Sequence, residues 1–257
     1  MTAEWAFALA AACVVLAWII GAPLVAARRR RALDDWLPCP RPLPPELRNR
    51  LERLVSVFVG EKEFVGCGGL AVTPEMKVAI AAQACLLVLG RDTHVYDRLR
   101  SLLVYPSQFV VPGEWSDEHG VVTSESRVLA GETWDVSRIV LSWEDVESRG
   151  AAGEPFNVVI HEFAHYLDHE SAGAPWAKDA AARERWQGLL EDELRGLRAQ
   201  VDAGEQTLLD PYAAEDSGEF FAVASEAFFE EPAALARRMP ALYRALADVY
   251  RLDPAAW

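Results

Sequence analysis

The first apolar stretch of the chain has no periodicity. Residues 5–27 read WAFALAAACVVLAWIIGAPLVAA, 23 positions without a charge, which as a helix is long enough to span a bilayer. Arg28, Arg29, Arg30 and Arg31 follow at once, whereas the segment ahead carries only the acidic Glu4. A cleaved export signal has its positive charge before a shorter apolar stretch, and here the order is reversed. Positive side chains stay on the cytoplasmic side. The pattern therefore predicts a single-pass anchor in the inner membrane, with everything after it facing the cytosol.

Periodicity begins after a linker at 32–45, which Pro38, Pro40, Pro42, Pro44 and Pro45 keep extended. Leu47, Leu51, Leu54, Val55 and Phe58 recur at helical spacing and predict a helix over 45–60. Gly66, Gly68 and Gly69 mark a turn or bulge within 62–70. Thr73 as N-cap and Pro74 at the first position start a second helix, apolar nearly throughout up to Gly90 and hence central to the core. Between 101 and 143 the period shortens. Short β-rich runs at 102–105, 109–111, 120–123, 127–130 and 139–143, broken by Pro, Gly and Asp, predict a small, mainly antiparallel sheet. Helical patterns return at 156–168, 176–201 and 218–231, the last capped by Asp216 and Ser217 and stopped by Pro232. Two short helices at 233–238 and 240–250 follow. The body at 46–257 thus reads as an α+β domain, mostly helical, with its sheet placed before the 156–168 helix.

Composition narrows the function classes. With 51% hydrophobic residues in 257, the chain is not disordered. Residues 1–31 hold four arginines and one glutamate, so the rest carries a net charge of −17; a surface this acidic is unsuited to nucleic acid. Cys13, Cys39, Cys67 and Cys85 contain no C-x-x-C pair, which argues against a zinc knuckle or a thioredoxin-type site.

One run carries a specific chemistry: NVVIHEFAHYLDHE, from Asn157, with His161-Glu162-Phe163-Ala164-His165 at its core. Histidines four residues apart on a helix share a face and can reach one zinc ion. Glu162, next to the first, stands where a general base for hydrolysis is needed. Val158, Val159, Ile160, Phe163, Ala164, Tyr166 and Leu167 make this a buried helix, where titratable groups are costly unless paired or metal-bound. A catalytic zinc requires a third protein ligand. His169 would lie in line with the first two, a poor tetrahedral corner, and the metzincin spacing fails because Asp168 and Ser171 stand where glycine and histidine are required. Glu219 and Glu226 both interrupt an apolar helix on one face, seven residues apart, and periodicity does not choose between them as ligand and ligand support.

Several segments in order, FVGCGGLAVTPEMKVAIAAQACLLVLG, VYPSQFV, ESRVLAGETWDVSRIVLSWEDV, NVVIHEFAHYLD and DPYAAEDSGEFFAVASEAFFEEP, resemble the Mlc titration factor A family of zinc-dependent peptidases. These are relatives of the lethal-factor-type gluzincins. The resemblance runs from about residue 46 to 250. It implies a zincin-like fold and one Zn2+ per chain held by His161, His165 and Glu219. It implies Glu162 as general base, Tyr212 as hydrogen-bond donor to the oxyanion, and Glu226 as a support for a ligand. It also implies peptide substrates, aminopeptidase-like action, and a partner among transcriptional repressors of sugar transport. The compact HESAGAPW segment after the motif, and the anchor, depart from the family's soluble members.

Overall fold

The structure is a computed structural model. It describes residue 33, residues 35–91 and 93–107, strand segments at 109–111, 115–116, 122–123, 127–129 and 131–135, and residues 137–148 and 157–257.

Helix α1 (Pro45–Glu61) turns Leu51, Val55 and Phe58 inward and leads directly into strand β1 (Glu63–Gly66). Helix α2 (Pro74–Leu87) starts where the sequence signals it: the Thr73 hydroxyl accepts a hydrogen bond from the Met76 backbone N–H at 3.2 Å. It is buried from Val78 to Leu87, and its alanines at 79, 81, 82 and 84 let α1 approach closely. The chain then enters strand β2 (Ser101–Tyr105). Four short strands follow, β3 (Phe109–Val111), β4 (Trp115–Ser116), β5 (Val122–Thr123) and β6 (Arg127–Leu129), and then β7 (Gly131–Asp135) and β8 (Arg138–Ser142).

The main sheet has the order β1-β2-β8-β7. β1 runs parallel to β2, with Phe64 opposite Leu102, and β2 parallel to β8, with Leu102 opposite Ile139. The expectation of a mainly antiparallel sheet is thus corrected. Among the described residues, antiparallel pairing is confined to the β7–β8 edge and to the two small pairs β3–β6 and β4–β5. The physical reason lies in β1 and α2. The glycines after β1 read as a turn and hid the strand, and α2 is the crossover that parallel neighbours require. Strand β8, RIVLS, is buried from Ile139 to Ser142 without alternation, the signature of a strand covered on both faces.

Helices α3 (Trp143–Ser148), α4 (Val158–Glu170), α5 (Ala180–Asp202), α6 (Ser217–Glu230), α7 (Pro232–Arg238) and α8 (Pro240–Tyr250) complete the body. α5 begins four residues later than its pattern predicts, because Asp179 caps it through the Ala182 N–H at 2.7 Å. α4 is the central element, packed against α6, α2 and strands β7 and β8. Edge-to-face contacts from Tyr96 to Phe163 and Tyr166, at ring-centroid distances of 5.4 and 5.7 Å, fix its apolar side. Within the stretch read as a linker, Leu43 is buried and Trp36 packs on Trp143 at 5.6 Å.

The membrane assignment is also corrected. No helix among the described residues is long and apolar enough to cross a membrane, and residues 5–27, on which the single-pass anchor and its inner-membrane location rested, lie outside the described residues.

Candidate metal centre

Asn157 starts α4 and organises one end of the site. Its side-chain oxygen accepts from the Ile160 N–H at 3.0 Å, its amide nitrogen donates to Glu230 Oε1 at 2.9 Å, and its backbone N–H donates to Glu226 Oε2. One turn into the helix, the rings of His161 and His165 meet edge to face with centroids 4.7 Å apart and Nε2 atoms 3.1 Å apart. Glu219 enters from the first turn of α6, which Asp216 caps by accepting from the Gly218 and Glu219 N–H groups at 2.7 and 2.9 Å. Its Oε2 lies 3.0 Å from His161 Nε2 and 3.4 Å from His165 Nε2.

These three atoms have the spacing of a metal's ligand shell. A tetrahedron with metal–ligand bonds of about 2.0 Å has edges of about 3.3 Å, and the three edges here measure 3.0, 3.1 and 3.4 Å. Proton placement points the same way. His161 Nδ1 lies 2.7 Å from Glu226 Oε1; a carboxylate only accepts, so the ring proton belongs on Nδ1 and Nε2 presents its lone pair to the common point. Glu219 Oε2 is then a buried oxygen without a hydrogen-bond donor, which is costly unless a cation meets it. The residues present fit a bound metal ion, and the three form a compact group of His and Glu donors.

Electrostatics at the site call for positive charge. Burial alone would lower the pKa of His161, but Glu219 and Glu226 on either side outweigh it and push it up to about 10. Burial raises Glu219, yet the imidazoles of His161 and His165 beside its Oε2 hold it well below the usual carboxylate range. Glu226 is 2% exposed, and burial pushes its pKa up. Glu162, 6% exposed and adjacent to His161 on α4, adds its negative charge to that felt by both His161 and Tyr212.

Tyr212 comes from a 3-10 turn, Pro211–Ala214, whose start Asp210 caps through the Tyr212 N–H at 2.7 Å. Its ring is 46% exposed and lies 6.2 Å from the His161 ring, centroid to centroid. Burial, Glu219 and Glu215 push its pKa well up, so the phenol keeps its proton and remains a donor. His169 is exposed at the last turn of α4, away from the cluster. Spacing left Glu219 and Glu226 equivalent; in the structure one faces the two Nε2 atoms and the other the Nδ1 of His161. Sequence reasoning missed Asn157, Glu230 and Gly218. An Asn directly before an apolar helical run is an N-cap signal; nothing in the pattern marked the other two. Gly218 packs against His165, since a Cβ there would lie 3.7 Å from its ring and 3.2 Å from the capping Asp216 Oδ1.

Residues 18–251 match the family described as Glucose-regulated metallo-peptidase M90. The chain belongs to the M90 family. This M90 chain is 37% identical over 229 residues to an uncharacterized protein of Synechocystis sp., covering 86% of the chain and 82% of that relative. It is 35% identical over 240 residues to Mlc titration factor A of Pectobacterium atrosepticum, covering 88% and 89%. To Mlc titration factor A of Serratia proteamaculans it is 36% identical over 229 residues, covering 86% of each. The resemblance to the Mlc titration factor A family is borne out, and M90 membership makes the chain a metallopeptidase-family protein for which a metal site is expected.

Proposed function

We propose that this M90 chain is a zinc-dependent peptidase, with residues 46–257 as its catalytic unit, in which His161, His165 and Glu219 hold the ion. The observation that supports this reading is the convergence of two imidazole nitrogens and one donor-less carboxylate oxygen within a single ligand shell. When bound, zinc would acidify a water molecule and polarise the scissile carbonyl. Glu162 takes the proton of the attacking water and delivers it to the departing amine, so that one carboxylate serves first as base and then as acid. Tyr212, kept protonated by its surroundings, donates a hydrogen bond to the carbonyl oxygen as negative charge develops there. Glu226 holds His161 in the tautomer that ligates. Short peptides cut in an aminopeptidase-like manner are the proposed substrates.

Changing Glu162 to Gln removes the base and none of the ligands. Metal analysis of the purified variant should give the wild-type zinc content, while cleavage of a peptide library falls by about 10²–10⁴-fold. Wild-type turnover in that variant would refute the role of Glu162.

A regulatory role is the second reading, favoured by the name shared by the relatives, Mlc titration factor A. In this reading the chain binds a transcriptional repressor of sugar transport. Recovery of the same partner by wild type and by Glu162→Gln would place that role beside catalysis; recovery of no repressor by either would remove it.

A further inference from the structure

A second cavity, of about 570 Å³, has none of the metal-site residues in its walls. It lies between the segment leading into α5, the N-terminal half of α5, the turn that follows α2 and the last turn of α8. Its volume is that of a small-molecule site. Its chemistry runs against the rest of the molecule. In a chain of net charge −14, Arg91, Lys178, Arg185 and Arg251 border this one cavity, with Asp248 the single acid among its lining residues.

No direct ion pair among the described residues ties these cations up. Arg91 is held in place by backbone carbonyls: its Nε donates to Val249 O at 2.7 Å and its Nη2 to Asp248 O. Its guanidinium also lies over the Trp176 ring, 5.3 Å from the centroid. Partial burial and the neighbouring Arg251 push its pKa down, and Asp248, which pushes it up, does not make up the difference. Such a group gains when an anion arrives.

The walls are built at a conformational cost. Three described non-glycine residues have left-handed backbones, Ala172, Trp176 and Arg251, and two of them line this cavity. A side chain in that region costs on the order of 1 kcal/mol or more per residue. Gly90 allows the close approach on which the cavity depends, since a Cβ there would lie 2.3 Å from Tyr250 O and 2.6 Å from Arg251 O. The opposite wall contains Trp186, 8% exposed, whose indole N–H has no acceptor among the described residues.

We propose that this cavity is a binding site for a small organic polyanion, a phosphate monoester or a polycarboxylate, separate from the metal centre. The guanidinium groups of Arg91, Arg185 and Arg251 and the ammonium of Lys178 receive the charged end. Trp176 and the apolar floor from Leu189 to Ala245 receive the remainder. Arginine suits both candidate chemistries because its planar fork pairs with carboxylate and phosphate alike.

The test is calorimetric titration of the full chain, metal-loaded, with phenyl phosphate, with benzene-1,3,5-tricarboxylate and with neutral benzyl alcohol. Saturable binding of at least one anion and none of the alcohol is expected, weakening as salt is raised. Phenyl phosphate alone would identify a phosphate ester as the ligand class, the tricarboxylate alone a polycarboxylate. Lys178→Ala with Arg185→Ala, both exposed and so compatible with folding, should weaken binding on the order of tenfold or more, by loss of charge-assisted contacts. The control pair Arg195→Ala with Arg237→Ala, on other surfaces, should leave it unchanged. Absence of saturable binding by both anions overturns the proposal. So does undiminished affinity in the Lys178/Arg185 variant, which would place the anion on the metal instead.

Discussion

Replacing Glu226 by Gln tests the part of the candidate metal centre that would touch no metal. The carboxylate is 2% exposed and accepts two hydrogen bonds, from His161 Nδ1 at 2.7 Å through Oε1 and from the Asn157 N–H through Oε2. Glutamine has the same shape but only one acceptor oxygen. Whichever way its amide turns, an NH2 meets a donor, and either His161 or Asn157 loses its acceptor. A buried donor left unmatched costs about 1–3 kcal/mol. If the loss falls on His161, its proton is free to move to Nε2, where it competes with the ion. Supporting residues of this type are worth about 10–100-fold in metal affinity, which at about 1.4 kcal/mol per decade agrees with the hydrogen-bond figure. Zinc affinity, measured by competition with a chromophoric chelator, should therefore fall by about 10–100-fold. The metal-free protein should melt lower by about 2–4 °C for each kcal/mol lost. Wild-type affinity together with an unchanged melting temperature would refute the claim that Glu226 sets the tautomer of His161.

Glu219→Ala removes the proposed third ligand and should yield protein without stoichiometric zinc by elemental analysis. If zinc were lost only from Glu226→Ala, the ligand assignment would be wrong. Gly90→Ala places a methyl group 2.3 Å from a backbone carbonyl that cannot turn aside, and should lower stability by about 1–3 kcal/mol in urea unfolding; wild-type stability would show that the α2–α8 approach is loose. Burial pushes the Cys39 thiol up to about 12, with Glu230 adding to it, and pushes Cys85 higher still. The thiolate is the reactive form, so at pH 8 neither should be alkylated in the native protein, and Cys39 should become reactive only as pH approaches 12. Peptide mass spectrometry after iodoacetamide checks both, and rapid native labelling of Cys85 would contradict its burial.

The helices were legible because their signals are local. Thr73-Pro74 and the 3.6-residue spacing of Leu51, Val55 and Phe58 need no knowledge of distant contacts. The sheet was not legible, because strand direction is decided by what connects the strands. RIVLS and SLLVY read the same in either orientation, and only the α2 crossover makes β1 and β2 parallel. The two histidines of the candidate site follow from spacing on one helix. Glu219 and Glu226 could not be told apart that way, since seven residues bring both to the same face. Their roles diverge because α6 crosses α4 with Glu219 level with the Nε2 atoms and Glu226 level with Nδ1 and Asn157.

The division of the metal centre between α4 and α6 has a consequence for a growing chain. His161 and His165 emerge on one helix, whereas Glu219 and Glu226 arrive with a helix made later. Until α6 docks, the chain offers a two-histidine half-site without its carboxylate or its tautomer lock. On the proposed assignment, tight capture of an ion, and with it any cutting of peptide bonds, then waits for tertiary assembly. A nascent or misassembled copy would then be inert.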